Sequence, residues 1–248
     1  GYSGASRLCA EAALRAGAGL VSVATHPAHA AFLNPGAPEL MVRGIDDDAD
    51  LATLVERATV LAVGPGLGVG EWGRARLAYV LGESVVREKP LVVDADGLNL
   101  LARLETTPAR DGWVLTPHPA EAGRLLGIPT SAIEADRIEA AESIAERYGA
   151  VCVLKGAGTV VAGGGEPPAI CTAGNPGMAT GGTGDVLTGV IAAMLAQGHA
   201  PRAAAELGVC AHAHAGDLAA EDGERGMSAS DLIAAMRRAV NPDRWREA

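Results

Sequence analysis

Two patterns of apolar residues alternate along residues 1–200. In residues 6–16 the apolar residues recur at helical spacing and would share one face of a helix: Leu8, Cys9, Ala12, Ala13 and Ala16. Helices are similarly predicted at residues 46–57, 98–103, 134–148 and 186–195. Short apolar runs between them predict strands at residues 20–24, 59–63, 90–93, 114–115, 151–154, 159–162 and 169–172. Residues 201–240 are Ala-rich and predicted helical, with a break at residues 221–226.

This alternation predicts an α/β fold, in which a mostly parallel central sheet is covered by helices on both faces. Its 248 residues, 48% of them hydrophobic, are enough for one large domain, and we expect residues 1–248 to form one. Ligands of such sheets gather at the carboxyl ends of the strands. The residues that follow each predicted strand are therefore the first candidates for a site.

Charge and cysteine content narrow the function classes. The formal net charge is −10, and the only lysines are Lys89 and Lys155, which argues against a general nucleic-acid binder. The four cysteines are widely spaced and include no Cys-x-x-Cys pair, so neither a zinc site nor a disulfide framework is predicted. No apolar run approaches the ~18 residues of a membrane helix. A reducing cytoplasm is the expected location.

The richest stretch for chemistry is residues 175–185, which lead directly into the apolar helix predicted at 186–195. Gly181, Gly182 and Gly184 let the backbone pass close to a ligand, and the first N–H groups of the helix point back toward it. Phosphate is the natural occupant of such a loop. Asn175 and Thr183 lie in the same turn and are candidate phosphate neighbours.

Asp185 lies in the first turn of this helix, where a carboxylate would repel a bound phosphate. Its presence there therefore indicates a role of its own, and one such role is to accept a proton from an attacking hydroxyl. The alternative is that Thr183 or Asp185 merely caps the helix, as Ser, Thr and Asp often do. Three close glycines are more than a simple cap requires, which favours the site.

Other strand exits carry further candidates. Residues 64–68 form a glycine loop that contains Gly66 and Gly68. The loop does not match the dinucleotide fingerprint, because the sixth position counted from Gly64 is Val69 and not glycine or alanine. Asp94 and Asp96 follow the strand at 90–93. If both are extended they point the same way, and one could hold Mg²⁺ or its waters, while Asp96 is equally well interpreted as a helix cap.

The next two exits carry a histidine and a lysine. His118 lies between two prolines that fix the backbone, and Glu121 follows as either a neighbour of metal-bound water or an ordinary first-turn acid. Lys155 precedes the glycine turn of residues 156–158 and can meet nucleotide phosphates as a point charge. His212 and His214 are two apart on a helix, so they do not converge on a metal. We interpret them as helix surface or subunit contact.

These motifs resemble a known family. Gly181-Gly182-Thr183-Gly184-Asp185 is similar to the catalytic loop of ribokinase-like vitamin kinases. The run from residue 175 to 189, with the Thr-Pro-His-Pro-x-Glu motif at 116–121, resembles the ADP-dependent (S)-NAD(P)H-hydrate dehydratases of that superfamily. The resemblance spans nearly the whole chain. It implies a ribokinase-like three-layer sandwich without an obvious lid domain.

The resemblance also implies roles for residues. It places substrate against Ala5, Gly66, Gly68, His118 and Asp185, with Asp185 as catalytic base. It assigns the nucleotide to Lys155, Gly156, Ala157, Gly158, Thr159, Asn175, Gly182, Thr183 and Gly184. Mg²⁺ is expected as cofactor, approached by Asp94 and Glu121, through water if not directly. The co-substrate implied for a bacterial chain is ADP, with ATP possible.

The implied reaction restores NADH and NADPH from their (6S)-hydrates, NADHX and NADPHX. Family members suggest a homotetramer, a strand preceding residue 1, and a fused or separate epimerase. One alternative is a kinase of a small alcohol, of the hydroxyethylthiazole or pyridoxal type, which shares the Gly-Thr-Gly-Asp loop. A second is a non-catalytic nucleotide-binding sensor on the same fold.

Overall fold

The structure is a computed structural model that describes residues 2–82, 88–106 and 109–241. Its first half contains α1 (Ser3–Arg15), β1 (Ser22–Thr25), α2 (Pro27–Leu33), β2 (Met41–Gly44), α3 (Asp48–Arg57), β3 (Leu61–Val63), α4 (Glu71–Gly82), β4 (Leu91–Val93), α5 (Ala95–Leu101) and β5 (Trp113–Leu115). The second half contains α6 (Pro119–Leu126), α7 (Thr130–Ala135), α8 (Arg137–Tyr148), β6 (Val151–Leu154), β7 (Thr159–Gly163), β8 (Glu166–Cys171), α9 (Thr183–Ala196), α10 (Pro201–Ala219) and α11 (Ala229–Ala239).

The main sheet of the described residues has six strands in the order β3-β4-β5-β6-β7-β8. The strands from β3 to β6 are parallel, whereas β7 and β8 continue the sheet as an antiparallel hairpin. The carboxyl ends of β3, β4, β5 and β6 therefore meet at one edge. The prediction of a mostly parallel sheet is confirmed.

Successive strand residues point to opposite faces of this sheet, and each face has its own core. Val92 belongs to the cluster formed with α1, α9, α10 and α11, whereas Leu91 and Val93 belong to the cluster formed with α3 to α8. The central strands β4, β5 and β6 are apolar and buried at every position because both of their faces are covered by helices. This is the three-layer arrangement predicted from the alternation of elements.

β1 and β2 pair with each other in parallel, apart from the main sheet. Between β1 and the edge strand β3 lies a cavity of about 870 Å³, lined by residues of both strands and by α1 and α3. Apolar side chains such as Ala13, Val23 and Leu54 form much of its wall. A strand preceding residue 1 stays a prediction.

Element bounds differ from the predictions in two informative places. The helix predicted at 134–148 is divided, because the Asp136 carboxylate accepts from the Glu139 N–H and caps a new helix at Arg137. The helix predicted at 98–103 begins already at Ala95, directly after Asp94, with Ala95 in the left-handed region at φ 46°. Asp94 and Asp96 are therefore not both extended, so the condition under which they would point the same way is not met.

The carboxyl-terminal part matches its prediction. α10 and α11 fill residues 201–240, and the predicted break falls between them, around a short 3₁₀ turn at Ala220–Asp222. Of the helices in the described ranges, none is both long and apolar enough to cross a membrane.

Candidate active site

The centre of the candidate site is a buried ion pair between two strand exits. Asp94 follows β4 and Lys155 follows β6, and Lys155 Nζ lies 2.6 Å from Asp94 Oδ1. The other carboxylate oxygen, Oδ2, accepts a hydrogen bond of 2.7 Å from the Thr188 hydroxyl on α9. Asp94 is only 1% exposed. This contact joins the edge of the sheet to the helix behind the glycine loop.

Lys155 stays charged in this position. Burial alone would lower the pKa of its ammonium, but the Asp94 and Glu121 carboxylates outweigh burial and raise it above the ordinary value. A methyl group built on Gly184 would lie 3.3 Å from Lys155 Nζ. The ammonium therefore stands beside the first turn of α9, and the absence of a side chain at Gly184 keeps the approach open.

The glycine-rich stretch, residues 174–184, is called the anion loop below. It enters α9 through Gly182, which is the N-cap residue and lies in the left-handed region at φ 94°. The Thr183 hydroxyl donates to the Met178 and Thr180 carbonyls and so closes the loop on itself. No side-chain cap hydrogen bond forms at this helix start. The alternative in which Thr183 or Asp185 merely caps α9 was therefore wrong.

Asp185 lies half-buried in the first turn of α9. Burial raises the pKa of its carboxyl to about 6, and the nearby Asp94 carboxylate adds to the rise while Lys155 opposes it. A base whose pKa lies near neutral pH is well matched to accepting a proton and releasing it again. The role of Asp185 as catalytic base stays a prediction.

His118 is the N-cap residue of α6. Its Nδ1 accepts from the backbone N–H groups of Ala120 and Glu121, at 3.1 and 3.3 Å. Burial lowers the pKa of its imidazole, with Glu121 opposing. The ring is therefore neutral at pH 7 and carries its proton on Nε2, which lies 3.4 Å from Glu121 Oε1 on the half-exposed side of the ring. The imidazole has the fixed direction predicted from the flanking prolines.

The carboxylates that were predicted to approach a metal already accept hydrogen bonds from protein groups. Asp94 is held by Lys155 and Thr188, and Glu121 Oε2 accepts from the His118 N–H at 2.8 Å. Asp96 does not cap α5, because Asp94 holds the N-cap position, and its carboxylate accepts from the Gly68 N–H at 2.8 Å. Within the described ranges no group of three His, Cys, Asp or Glu side chains could hold a metal.

Gly66 lies against the amino end of α1, the helix that contains Ala5. Gly66 has φ 69°, and a methyl group there would lie 2.3 Å from the Tyr2 carbonyl and 3.5 Å from the Ser6 N–H. One turn after Ala5, Leu8 packs against Gly182 of the anion loop. α1 therefore connects the turn at Gly66 with the anion loop, while the Gly68 N–H donates to the Asp96 carboxylate.

The turn after Lys155 is held by hydrogen bonds from an arginine side chain. Arg137 donates to the carbonyls of Leu154, Lys155 and Gly158 at 3.1 to 3.3 Å. Thr159 donates to the Gly156 carbonyl at 3.0 Å. Gly156, with φ 145°, adopts a conformation that an L side chain rarely takes. The turn that contains Ala157 is thus a fixed backbone cradle at the strand exit.

The beginning of the anion loop is held by α10. Asn175 Oδ1 accepts from the Gly177 N–H, and its Nδ2 donates to Asp217 at 3.2 Å. His212 Nε2 lies 2.9 Å from the Thr183 carbonyl. The interpretation of His212 as helix surface or subunit contact was wrong, because its ring faces the anion loop. His214, on the other hand, is exposed.

Sequence reasoning missed four residues of this site: Arg137, Thr188, His212 and Asp217. Each reaches the site from a helix across at least 17 residues of sequence. Only Thr188 carried a usable signal, since it is a polar residue within an otherwise apolar helix and a buried hydroxyl needs a partner.

Comparison with known proteins agrees with this geometry. A family model described as NAD(P)H-hydrate dehydratase matches residues 1–238. A bifunctional NAD(P)H-hydrate repair enzyme of Coxiella burnetii is 47% identical over 243 residues, which are 98% of this chain and 49% of that protein. The chain spans about half the length of the curated relatives that it matches.

Solved structures give the same relationship. A ribokinase-like superfamily protein from Enterococcus faecalis is similar with a TM-score of 0.84 and 33% identity, covering 96% of this chain and 82% of that one. An ADP/ATP-dependent NAD(P)H-hydrate dehydratase from Bacillus subtilis, co-crystallised with ATP and Mg²⁺, has a TM-score of 0.82 and 29% identity, covering 99% and 87%. The chain therefore belongs to the NAD(P)H-hydrate dehydratase family and has the ribokinase-like α/β fold.

Proposed function

We propose that this chain dehydrates the (6S)-hydrates of NADH and NADPH in a reaction coupled to nucleotide hydrolysis. The observation that carries the proposal is Asp185, a half-buried base with a pKa of about 6 in the first turn of α9. It stands directly behind a glycine loop suited to phosphate and near the Lys155 ammonium. Family membership supports the choice of substrate.

The chemistry answers a leaving-group problem. Hydroxide leaves poorly, so the ring hydroxyl of the hydrate is first converted into a phosphate ester. Asp185 takes the proton of that hydroxyl as its oxygen attacks the terminal phosphorus of the nucleotide, and AMP leaves when ADP is the donor. The ring nitrogen lone pair then expels phosphate as the C–O bond breaks, which leaves an iminium ion. Loss of a proton from the adjacent ring carbon to solvent restores the dihydronicotinamide. Overall, hydrate and ADP become NADH, AMP and phosphate.

The surrounding groups position and stabilise these reactants. The N–H groups of Gly182, Thr183 and Gly184 stand where the transferring phosphoryl group gathers negative charge. Lys155, with the fixed turn at 156–159, provides a cation and backbone donors for the remaining phosphates. We assign His118 Nε2 and the loop containing Gly66 and Gly68 to orientation of the hydrate.

Mg²⁺ is proposed as a companion of the nucleotide. The carboxylates of Asp94 and Glu121 are already bonded to protein donors, so they do not fit direct coordination of a metal. Mg²⁺ usually keeps several waters and binds substrate phosphates, which leaves contact through water. The co-crystallisation of the Bacillus subtilis relative with ATP and Mg²⁺ supports this proposal. ADP as the preferred donor, a homotetramer and a cytoplasmic location are further proposals.

The test uses acid-hydrated NADH with Mg²⁺ and either ADP or ATP, and follows the near-ultraviolet absorbance of the restored dihydronicotinamide. Wild type should restore it, and Asp185→Asn should not. A stable phosphoester without restored absorbance would instead identify a small-alcohol kinase. Nucleotide binding without turnover, with Asp185→Asn unchanged, would identify a sensor. The family relationship favours neither alternative.

A further inference from the structure

One face of α10 contacts the anion loop at its beginning, middle and end. His212, Ala213, Gly216 and Asp217 lie within an arc of about 140° on this helix, since successive residues are about 100° apart. We propose that His212 is a positioning residue, which orients the Gly184 N–H toward the transferring phosphoryl group. The inference deepens the proposed function and rests on it.

Asp217 holds the beginning of the loop. Its Oδ2 accepts from the Gly174 N–H at 3.1 Å, and its Oδ1 accepts from Asn175 Nδ2 at 3.2 Å. The Asn175 amide oxygen in turn accepts from the Gly177 N–H at 3.0 Å. One carboxylate thus fixes the first residues of the loop relative to α10.

Gly216 makes room for the middle of the loop. A methyl group built on Gly216 would lie 2.3 Å from the Met178 sulfur, so the thioether packs directly against the helix backbone. The same sulfur lies beside Gly174, and Ala213 is the next neighbour there. The small residues let the loop approach α10 closely enough for His212 to reach Thr183.

His212 holds the end of the loop by a hydrogen bond in which the imidazole is the donor. Burial lowers the pKa of its imidazole to about 4, so the ring is neutral at pH 7. Since Nε2 faces the Thr183 carbonyl at 2.9 Å, Nε2 carries the proton and donates. In a planar trans peptide the carbonyl and the N–H point in opposite directions. Fixing the Thr183 carbonyl therefore aims the Gly184 N–H away from His212 and so fixes the direction of this donor.

The test compares binding of ADP and AMP, in the presence of Mg²⁺, by calorimetry. AMP lacks the phosphoryl group that would be transferred, so the ratio of the two dissociation constants reports on the anion loop. His212→Leu removes the donor, His212→Gln places an amide donor near the Nε2 position, and His214→Leu is the matched control on the exposed side of α10. No hydrate is present, so the result does not depend on dehydration by the wild type.

We expect His212→Leu to weaken ADP binding about tenfold with little change for AMP, as for loss of a hydrogen bond to a charged group. His212→Gln should recover most of the loss, and His214→Leu should match wild type. Equal weakening of ADP and AMP, or a lowered melting temperature without change in their ratio, would show a merely structural role. Equal affinity of the wild type for ADP and AMP would also overturn the inference. Failure to restore hydrated NADH would overturn only the proposed function.

Discussion

Lys155 Nζ lies 2.6 Å from Asp94 Oδ1, although 61 residues separate the two side chains in sequence. Asp94 is almost fully buried, and Lys155 retains 17% exposure of its side chain on the side of the anion loop. The buried Asp94 carboxylate therefore fixes the position of the Lys155 ammonium and keeps it charged at the entrance to the site.

Removing the carboxylate charge should destabilise the fold. We expect Asp94→Asn to lower the free energy of unfolding by roughly 3 kcal/mol, because it removes the nearer counter-charge of a largely buried ammonium and leaves only Glu121, at 3.8 Å. Chemical denaturation measures the change. The control is Glu221→Gln, which breaks an exposed pair with Arg238 and should cost less than about 1 kcal/mol. Similar losses in both variants would contradict the support role of Asp94.

The pKa of Asp185 predicts an acid limb in the rate profile. The base is competent only when deprotonated, so kcat/KM should fall as the pH drops through about 6. Above pH 6, Asp185→Asn should reduce kcat by about 10²- to 10⁴-fold, which is the usual contribution of a positioned base, and the difference from wild type should shrink at lower pH, where the wild-type base is itself protonated. The limb should persist in a His118→Asn variant. Its loss there would assign the titration to His118 instead.

The same raised pKa predicts how stability depends on pH. A carboxyl whose pKa rises from 3.8 to about 6 on folding favours its protonated form in the folded state. Its destabilising effect is therefore present above pH 6 and disappears as the pH falls toward 4. We expect Asp185→Asn to raise the free energy of unfolding by roughly 1 to 3 kcal/mol at pH 8 and hardly at all at pH 4. Denaturant titrations at the two pH values test the sign.

Two substitutions at His118 separate its structural and ligand-facing nitrogens. Asn caps helices as well as any residue, so His118→Asn should keep the stability that Nδ1 provides while removing Nε2. We expect a raised KM for the hydrate with a melting temperature close to wild type. His118→Ala should show the same KM change and lose about 1 kcal/mol of stability as well. Unchanged KM in both would remove His118 from the substrate site.

A glycine pair tests the packing of α1 against α9. Gly189→Ala would place a methyl group 2.0 Å from the Cys9 carbonyl, so we expect loss of several kcal/mol, as for overpacked cores, despite the better helix propensity of Ala. Gly4→Ala meets nothing within 4 Å and should stabilise α1 by up to about 1 kcal/mol. Thermal unfolding of the two variants measures both changes in stability, which should have opposite signs. A stabilised Gly189→Ala would show that the two helices are less closely packed.

The sheet and its functional edge could be predicted because their signals are local. Apolar runs such as residues 151–154 mark buried strands, and alternation with helices implies a parallel sheet with all carboxyl ends on one side. Asp94, Lys155 and Asp185 each follow or begin an element on that side. Their convergence could therefore be expected before any distance was known.

The supporting contacts could not be predicted, because they depend on how helices cross. Helical periodicity shows which face of α10 is apolar, but not that this face meets the anion loop, so His212 looked like a surface residue. The start of α5 was missed for another reason. Ala95 enters it with a left-handed φ of 46°, a conformation that alanine rarely adopts and that no local signal announces.

The space of about 870 Å³ between β1 and β3 is a cleft that opens to solvent, so it holds water in the folded protein. Apolar side chains line it, among them Ala13, Val23 and Leu54. A strand seated there would exchange hydrating water for ladder hydrogen bonds and apolar contacts, so heat resistance should be highest in whichever form of the protein closes this gap.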